Sequence, residues 1–112
     1  MKDIETTLVT IVNATASSEG ALVDTIGSRE NEEGSARFYL DVTSLAGTTP
    51  TADVSIVATI GGTDFTLGSF TQAIGATTES ILITTCPSRV KAVYTLGGTV
   101  TDFDAVVTCT RF

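Results

Sequence analysis

Residues 35–60 read SARFYLDVTSLAGTTPTADVSIVATI. Two alternating stretches flank a run of small and hydroxylated residues. In the first, Phe38, Leu40 and Val42 share one face, and Arg37, Tyr39, Asp41 and Thr43 share the other. In the second, Val54, Ile56, Ala58 and Ile60 line one face. A period of two sends successive side chains to opposite sides of a pleated strand, so each stretch reads as a half-buried β-strand. Pro50 closes the Ala46–Thr49 loop between them, since it has no N–H to give to a central ladder. Gly61-Gly62 then offers a two-residue hairpin turn into TDFTLGSF (63–70), because both glycines reach φ > 0 without steric cost.

The same pattern extends outward. Strands are predicted at 6–14, 21–26, 80–85, 89–96 and 103–112 as well, which makes about eight. Gly97-Gly98 breaks the chain after Leu96, and Pro87 does so after Cys86. The polar run SRENEEGS (28–35) reads as an exposed loop. No window of helical length carries a 3.6 period. Short strands at close spacing with turn signals between them indicate an all-β chain: a single β-sandwich, jelly-roll-like or immunoglobulin-like.

At 112 residues the chain suits one domain. It is 42% hydrophobic and only 17% charged, with abundant β-branched residues that favour pleated surfaces. The formal charge of −7 disfavours nucleic acid and anionic lipid as partners. The acidic start MKDIETTLVT is unlike a secretory leader, so synthesis in the cytoplasm is expected. Val9, Ile11, Val57, Phe70, Leu82, Val93 and Val106 fall opposite the in-phase core set. They read either as ordinary apolar surface or as an interface with further copies or a partner.

Catalytic equipment is sparse. Without histidine, Ser-His-Asp, Cys-His and histidine-zinc arrangements are unavailable. Cys86 and Cys109 read as two buried thiols or as one disulfide. Glu30, Glu32 and Glu33 lack the spacing of a calcium loop, and Asp102 and Asp104 read as solvating rather than as an acid–base pair. The sequon Asn13-Ala14-Thr15 matters only in a secreted chain. Tyr39 is the one obvious ring for a sugar, and Tyr94 is expected to pack inward. No enzyme activity, metal or cofactor is expected.

The order of three segments adds a further reading. ARFYLDVTSLAGTTPTADVSIVATI, then FTLGSFTQ, then SRVKAVYTLGGTVTDFDAVVT resembles a group of small β-sandwich structural proteins of tailed bacteriophages. The likeness covers most of residues 6–110. It implies a virion component, foremost a capsid decoration (cement) protein docking on the outer surface of the major capsid protein lattice. A tail, neck or fibre-associated role and a receptor- or carbohydrate-binding module are the alternatives. The implied partners are the major capsid protein and further copies of this chain, with a trimer favoured. Residues 1–7 are expected to form an N-terminal arm, and 8–112 the sandwich.

Overall fold

The computed structural model describes residues 4–25 and 34–111. Seven strands follow one another: β1 (Ile4–Ile11), β2 (Ser18–Glu19), β3 (Val23–Asp24), β4 (Gly34–Ile60), β5 (Thr63–Ser69), β6 (Thr77–Cys86) and β7 (Arg89–Arg111). The described chain holds no helix. β4 and β7 are far longer than the others and pair antiparallel along nearly their whole length, from Ala36↔Arg111 to Val57↔Lys91.

This ladder bends at its middle and turns the sheet over on itself. In layer one, residues 99–111 of β7 lie between β1 and the first half of β4, and β6 flanks β4. In layer two, residues 89–97 of β7 lie between the short β2 and β3 and the second half of β4, and β5 flanks β4. The result is an all-β sandwich with extents of 45 × 30 × 20 Å, the shortest suiting two twisted sheets packed about 10 Å apart.

The alternation read from the sequence lines the space between the layers. Phe38, Leu40 and Val42 from layer one face Val54, Ile56 and Ala58 from layer two, joined by Val90, Ala92, Phe103, Ala105, Val107 and Cys109. The open edges of the layers also approach each other. A Cβ on Gly68 of β5 would sit 3.1 Å from Ile81 Cδ1 of β6, and one on Gly20 would sit 3.1 Å from Val9 Cβ of β1. The apolar interior is therefore closed on its flanks as well as its faces.

The bend is a correction to the sequence reading. The predicted loop at 46–50 and the predicted break at Gly97-Gly98 are both parts of continuous strands. Register shifts between Ala46/Gly47 and between Thr48/Thr51 absorb the corner as β-bulges. Gly47 adopts φ 143° and Gly98 φ 71°. A Cβ on Gly47 would lie 1.9 Å from Thr99 O, so only glycine lets the two backbones stay paired through the turn. At the far end, Gly61 and Gly62 (φ 61° and 82°) make the expected hairpin turn between β4 and β5.

Three other expectations change. Of the strand expected at 21–26, the described residues keep Val23–Asp24, with Ser18–Glu19 as a separate short strand; Ile26 lies outside the described residues. The arm expected over 1–7 is part of β1 from Ile4 onward, because Ile4 to Thr7 pair with Arg111 to Thr108; residues 1–3 lie outside the described residues. Of the loop expected at 28–35, Gly34 and Ser35 already begin β4, and residues 28–33, with Glu30, Glu32 and Glu33, lie outside the described residues.

Candidate functional site

Layer one offers a broad outer face, built by the residues that alternate with the core. Across its four strands, the row through Tyr39 runs Thr7, Thr108, Tyr39, Ser80. The next row runs Thr10, Val106, Asp41, Thr78. On the other side, Glu5, Thr110, Arg37 and Leu82 stand in line. Hydroxyls dominate this face, with one ring, one guanidinium and one carboxylate near its centre. Tyr39 is 39% exposed and Leu82 46%. An open groove of about 480 Å³ runs beside Tyr39, lined by Tyr39, Leu40, Asp41, Thr78, Glu79 and Ser80. Arg37 Nη1 donates to Ser80 Oγ at 3.3 Å, which holds the groove wall in place.

The outer face of layer two is organised by a lysine. Lys91 Nζ bridges Glu19 Oε2 at 2.9 Å and Asp64 Oδ2 at 3.2 Å, tying β2 to β5 across β7 and β4. The Glu19 carboxylate, and after it Asp64, raise the Lys91 ammonium above its ordinary value against the opposing effect of burial. Thr59 Oγ1 donates to Asp64 Oδ1 at 2.6 Å, and that bond together with Lys91 holds the Asp64 carboxyl low.

At the end of the sandwich away from the corner, Arg111 is buried and points inward. Its guanidinium donates to Cys86 O, to Pro87 O at 3.4 Å and to Thr25 Oγ1 at 3.2 Å. Thr25 in turn donates its hydroxyl to Ser88 O at 2.8 Å. The β6–β7 connection and the residue after β3 are thus pinned to one side chain. Cys86 and Cys109 are buried free thiols. β4 runs between the strands that carry them, which separates their backbones by two strand spacings, roughly 9–10 Å, beyond disulfide reach. Burial, and to a lesser degree Cys86, pushes the Cys109 thiol up to about 11; burial also raises Cys86, against the pull of Arg111.

The seven residues read as an interface do not form one patch. Ile11 and Phe70 are core residues, and Val9 packs against the core edge. A bulge at Leu8 shifts the phase of β1, so Ile11 pairs with Ala105 on the inner side. A second bulge at Leu67 does the same for Phe70, whose N–H reaches Val54 O at 2.9 Å. Val57 and Val93 lie on the outer side of layer two, where Val57 is buried beside Lys91 and Val93 is half-buried. Leu82 and Val106 lie on the outer side of layer one, Leu82 exposed and Val106 half-buried. Tyr94 packs inward on Phe103 with ring centroids 5.7 Å apart. Asp104 is occupied by backbone: its Oδ1 accepts from Asn13 N at 2.7 Å, while Ser44 Oγ donates to Asp102 Oδ2 at 2.8 Å. Sequence reasoning missed Lys91 and Arg111, since neither a lone lysine in a strand nor a near-terminal arginine signals burial. Among the described residues, no group of three or more His, Cys, Asp or Glu side chains is placed to hold a metal ion.

No protein-family model and no curated protein matches this sequence. Solved structures do show similarity. Part of a Clostridium thermocellum xylanase 10B chain, comprising CBM22-1 and GH10 modules in complex with xylohexaose, matches with TM-score 0.50 and 13% identity over 96% of this chain and 28% of that one. This chain therefore spans little more than a quarter of that protein's length. A cowpea mosaic virus empty virus-like particle matches at TM-score 0.43 and 12% identity, over 94% of this chain and 76% of that one. The CBM36-1 domain of a multidomain xylanase from the hindgut metagenome of Trinervitermes trinervoides matches at 0.43 and 12%, over 99% and 98%. At 13% identity the likeness to the xylanase chain is one of fold alone. The fold defines the class: a single antiparallel β-sandwich domain.

Proposed function

We propose that this chain is a virion structural protein of a tailed bacteriophage, a decoration protein that docks on the outer surface of the major capsid protein lattice. One observation supports the reading above others. The segments that carry the phage resemblance, 36–60 and 88–108, are the two long strands whose shared corner folds the sheet. The likeness therefore falls on the element that sets the architecture.

The physical role asks for shape rather than chemistry. A module that binds only the assembled shell stabilises that shell by linkage. Self-association as a trimer would let three weak contacts act together, so each one stays modest. The charge of −7 suits the outside of a shell better than a lumen filled with DNA.

The test is occupancy. Purified protein is mixed with capsids of its phage that lack it, and the particles are pelleted and imaged. Saturable, regularly spaced density on the head supports the proposal. Density on the tail or neck, or protein left in the supernatant, overturns it.

A further inference from the structure

We infer that the groove beside Tyr39 is a subsite for a neutral saccharide. The inference does not rest on the virion reading. A sugar ring presents a face of C–H groups and a rim of hydroxyls. Its partner must supply a flat apolar platform and, at its margin, groups that both accept and donate hydrogen bonds. Those elements meet here. Tyr39 is 39% exposed on the outer face of layer one. Asp41, two residues on and on the same side of β4, has no hydrogen-bond partner among the described residues and is free to accept from sugar hydroxyls. Ser80, directly across from Tyr39, already accepts from Arg37, which leaves its own hydroxyl proton available to donate. Thr78, across from Asp41, adds a second hydroxyl.

Other ligand classes fit less well. A phosphate or an acidic glycan would meet the Asp41 carboxylate in the groove, with Arg37 the nearby cation among the described residues, already donating to Ser80. An apolar peptide would find one ring amid hydroxyls. A neutral sugar meets only groups it can use. One ring and one carboxylate make a shallow site, so affinities near 1 mM are expected for a single chain, on the order of 4 kcal/mol.

Tyrosine fluorescence reads the site directly, because the chain has no tryptophan and its other tyrosine, Tyr94, is packed on Phe103. Cellohexaose, maltohexaose and chitohexaose serve as the probes, titrated to about 10 mM. At least one should give a saturable change. Read from amide chemical-shift titrations, since two of these variants lack the Tyr39 fluorophore, Tyr39→Ala should weaken that binding about tenfold or more, Tyr39→Phe should keep it within about threefold, and Asp41→Asn should weaken it about fivefold. Amide chemical-shift changes should cluster at 39–41 and 78–80. Silence with all three probes overturns the inference. So does binding that survives Tyr39→Ala, or shift changes confined to layer two.

Discussion

Substituting Gly47 by alanine tests whether the folded corner, rather than core burial alone, holds this sandwich in shape. The residue sits at φ 143°, a conformation that L side chains rarely adopt, and a new Cβ would lie 1.9 Å from Thr99 O and 2.9 Å from Thr99 C. Both clashing groups are backbone, so no rotamer change relieves them. Backbone strain of this kind costs about 1–3 kcal/mol. Separating the strands also weakens the pairings Gly47↔Val100 and Thr48↔Thr99, at about 1 kcal/mol for each hydrogen bond lost. Together the cost is about 3–5 kcal/mol. Gly61→Ala is the matched control. Gly61 also has positive φ, 61°, but a Cβ there meets nothing within 4 Å, so only the left-handed penalty of about 1–2 kcal/mol applies. Urea unfolding monitored by far-UV circular dichroism gives both values. With a slope of about 2 kcal/mol/M, Gly47→Ala should lower the midpoint by roughly 2 M and Gly61→Ala by less than about 1 M. Equal midpoints for the two variants would refute the reasoning, because both positions have positive φ but only Gly47 adds a close approach to backbone.

Replacing Arg111 by methionine fills similar space but strands the acceptors Cys86 O, Pro87 O and Thr25 Oγ1, and should cost about 2–4 kcal/mol by the same unfolding assay. Lys91→Met should lower the unfolding midpoint at low salt and do so less at high salt, since it removes a bridged ion network near the surface. That network also sets a pH signature. Asp64 titrates below 3.8 in the folded chain, so its contribution is present above that pH and fades as pH falls further; Lys91 titrates above 10.5, so its contribution is full below that and is lost as pH rises beyond it. Lys91→Met should remove its own alkaline contribution and only reduce that of Asp64 on the acidic side, where the Thr59 hydrogen bond still holds the carboxyl low. The two cysteines should resist a thiol reagent at pH 8 in the native chain and both react after denaturation; rapid native labelling would contradict their burial. Because the Cys109 thiol is pushed to about 11 in the folded chain from an ordinary 9.0, stability should fall as pH climbs between those values.

Much of the fold was legible because its strands alternate cleanly. Phe38, Leu40 and Val42, like Phe103, Ala105 and Val107, are core residues wherever a period of two places them. The Gly61-Gly62 turn was legible for a local reason, since a two-residue hairpin needs positive φ and the sequence supplies it. What failed was phase across bulges. One extra residue at Leu8 or at Leu67 sends every later side chain to the other face, and no residue type announces it. Ile11 and Phe70 were therefore read as outward. The corner failed for a related reason. Gly, Pro and Thr clusters signal a break in pairing, yet here a pair of bulges keeps the ladder intact. The groove was half legible: Tyr39 stood out as an exposed ring, but Ser80 and Thr78 join it only through the pairing of β4 with β6.

The continuous ladder has a mechanical consequence. In a sandwich whose layers are joined by loops, the two sheets can shift against each other at the cost of side-chain contacts alone. Here β4 and β7 both pass through layer one and layer two, and their pairing extends on either side of the bend. Sliding one layer over the other must also break backbone pairing at Gly47, Thr48 and Thr51. The lateral margins are constrained too, by the approach of β5 to β6 and of Gly20 to Val9 of β1. A partner on the outer face of layer one therefore meets a surface whose rows, from Thr7 to Ser80 and from Thr10 to Thr78, keep their spacing under load. Preorganised surfaces lose less freedom on docking, so weak individual contacts suffice. On the decoration reading, that stiffness is what the module contributes to a shell.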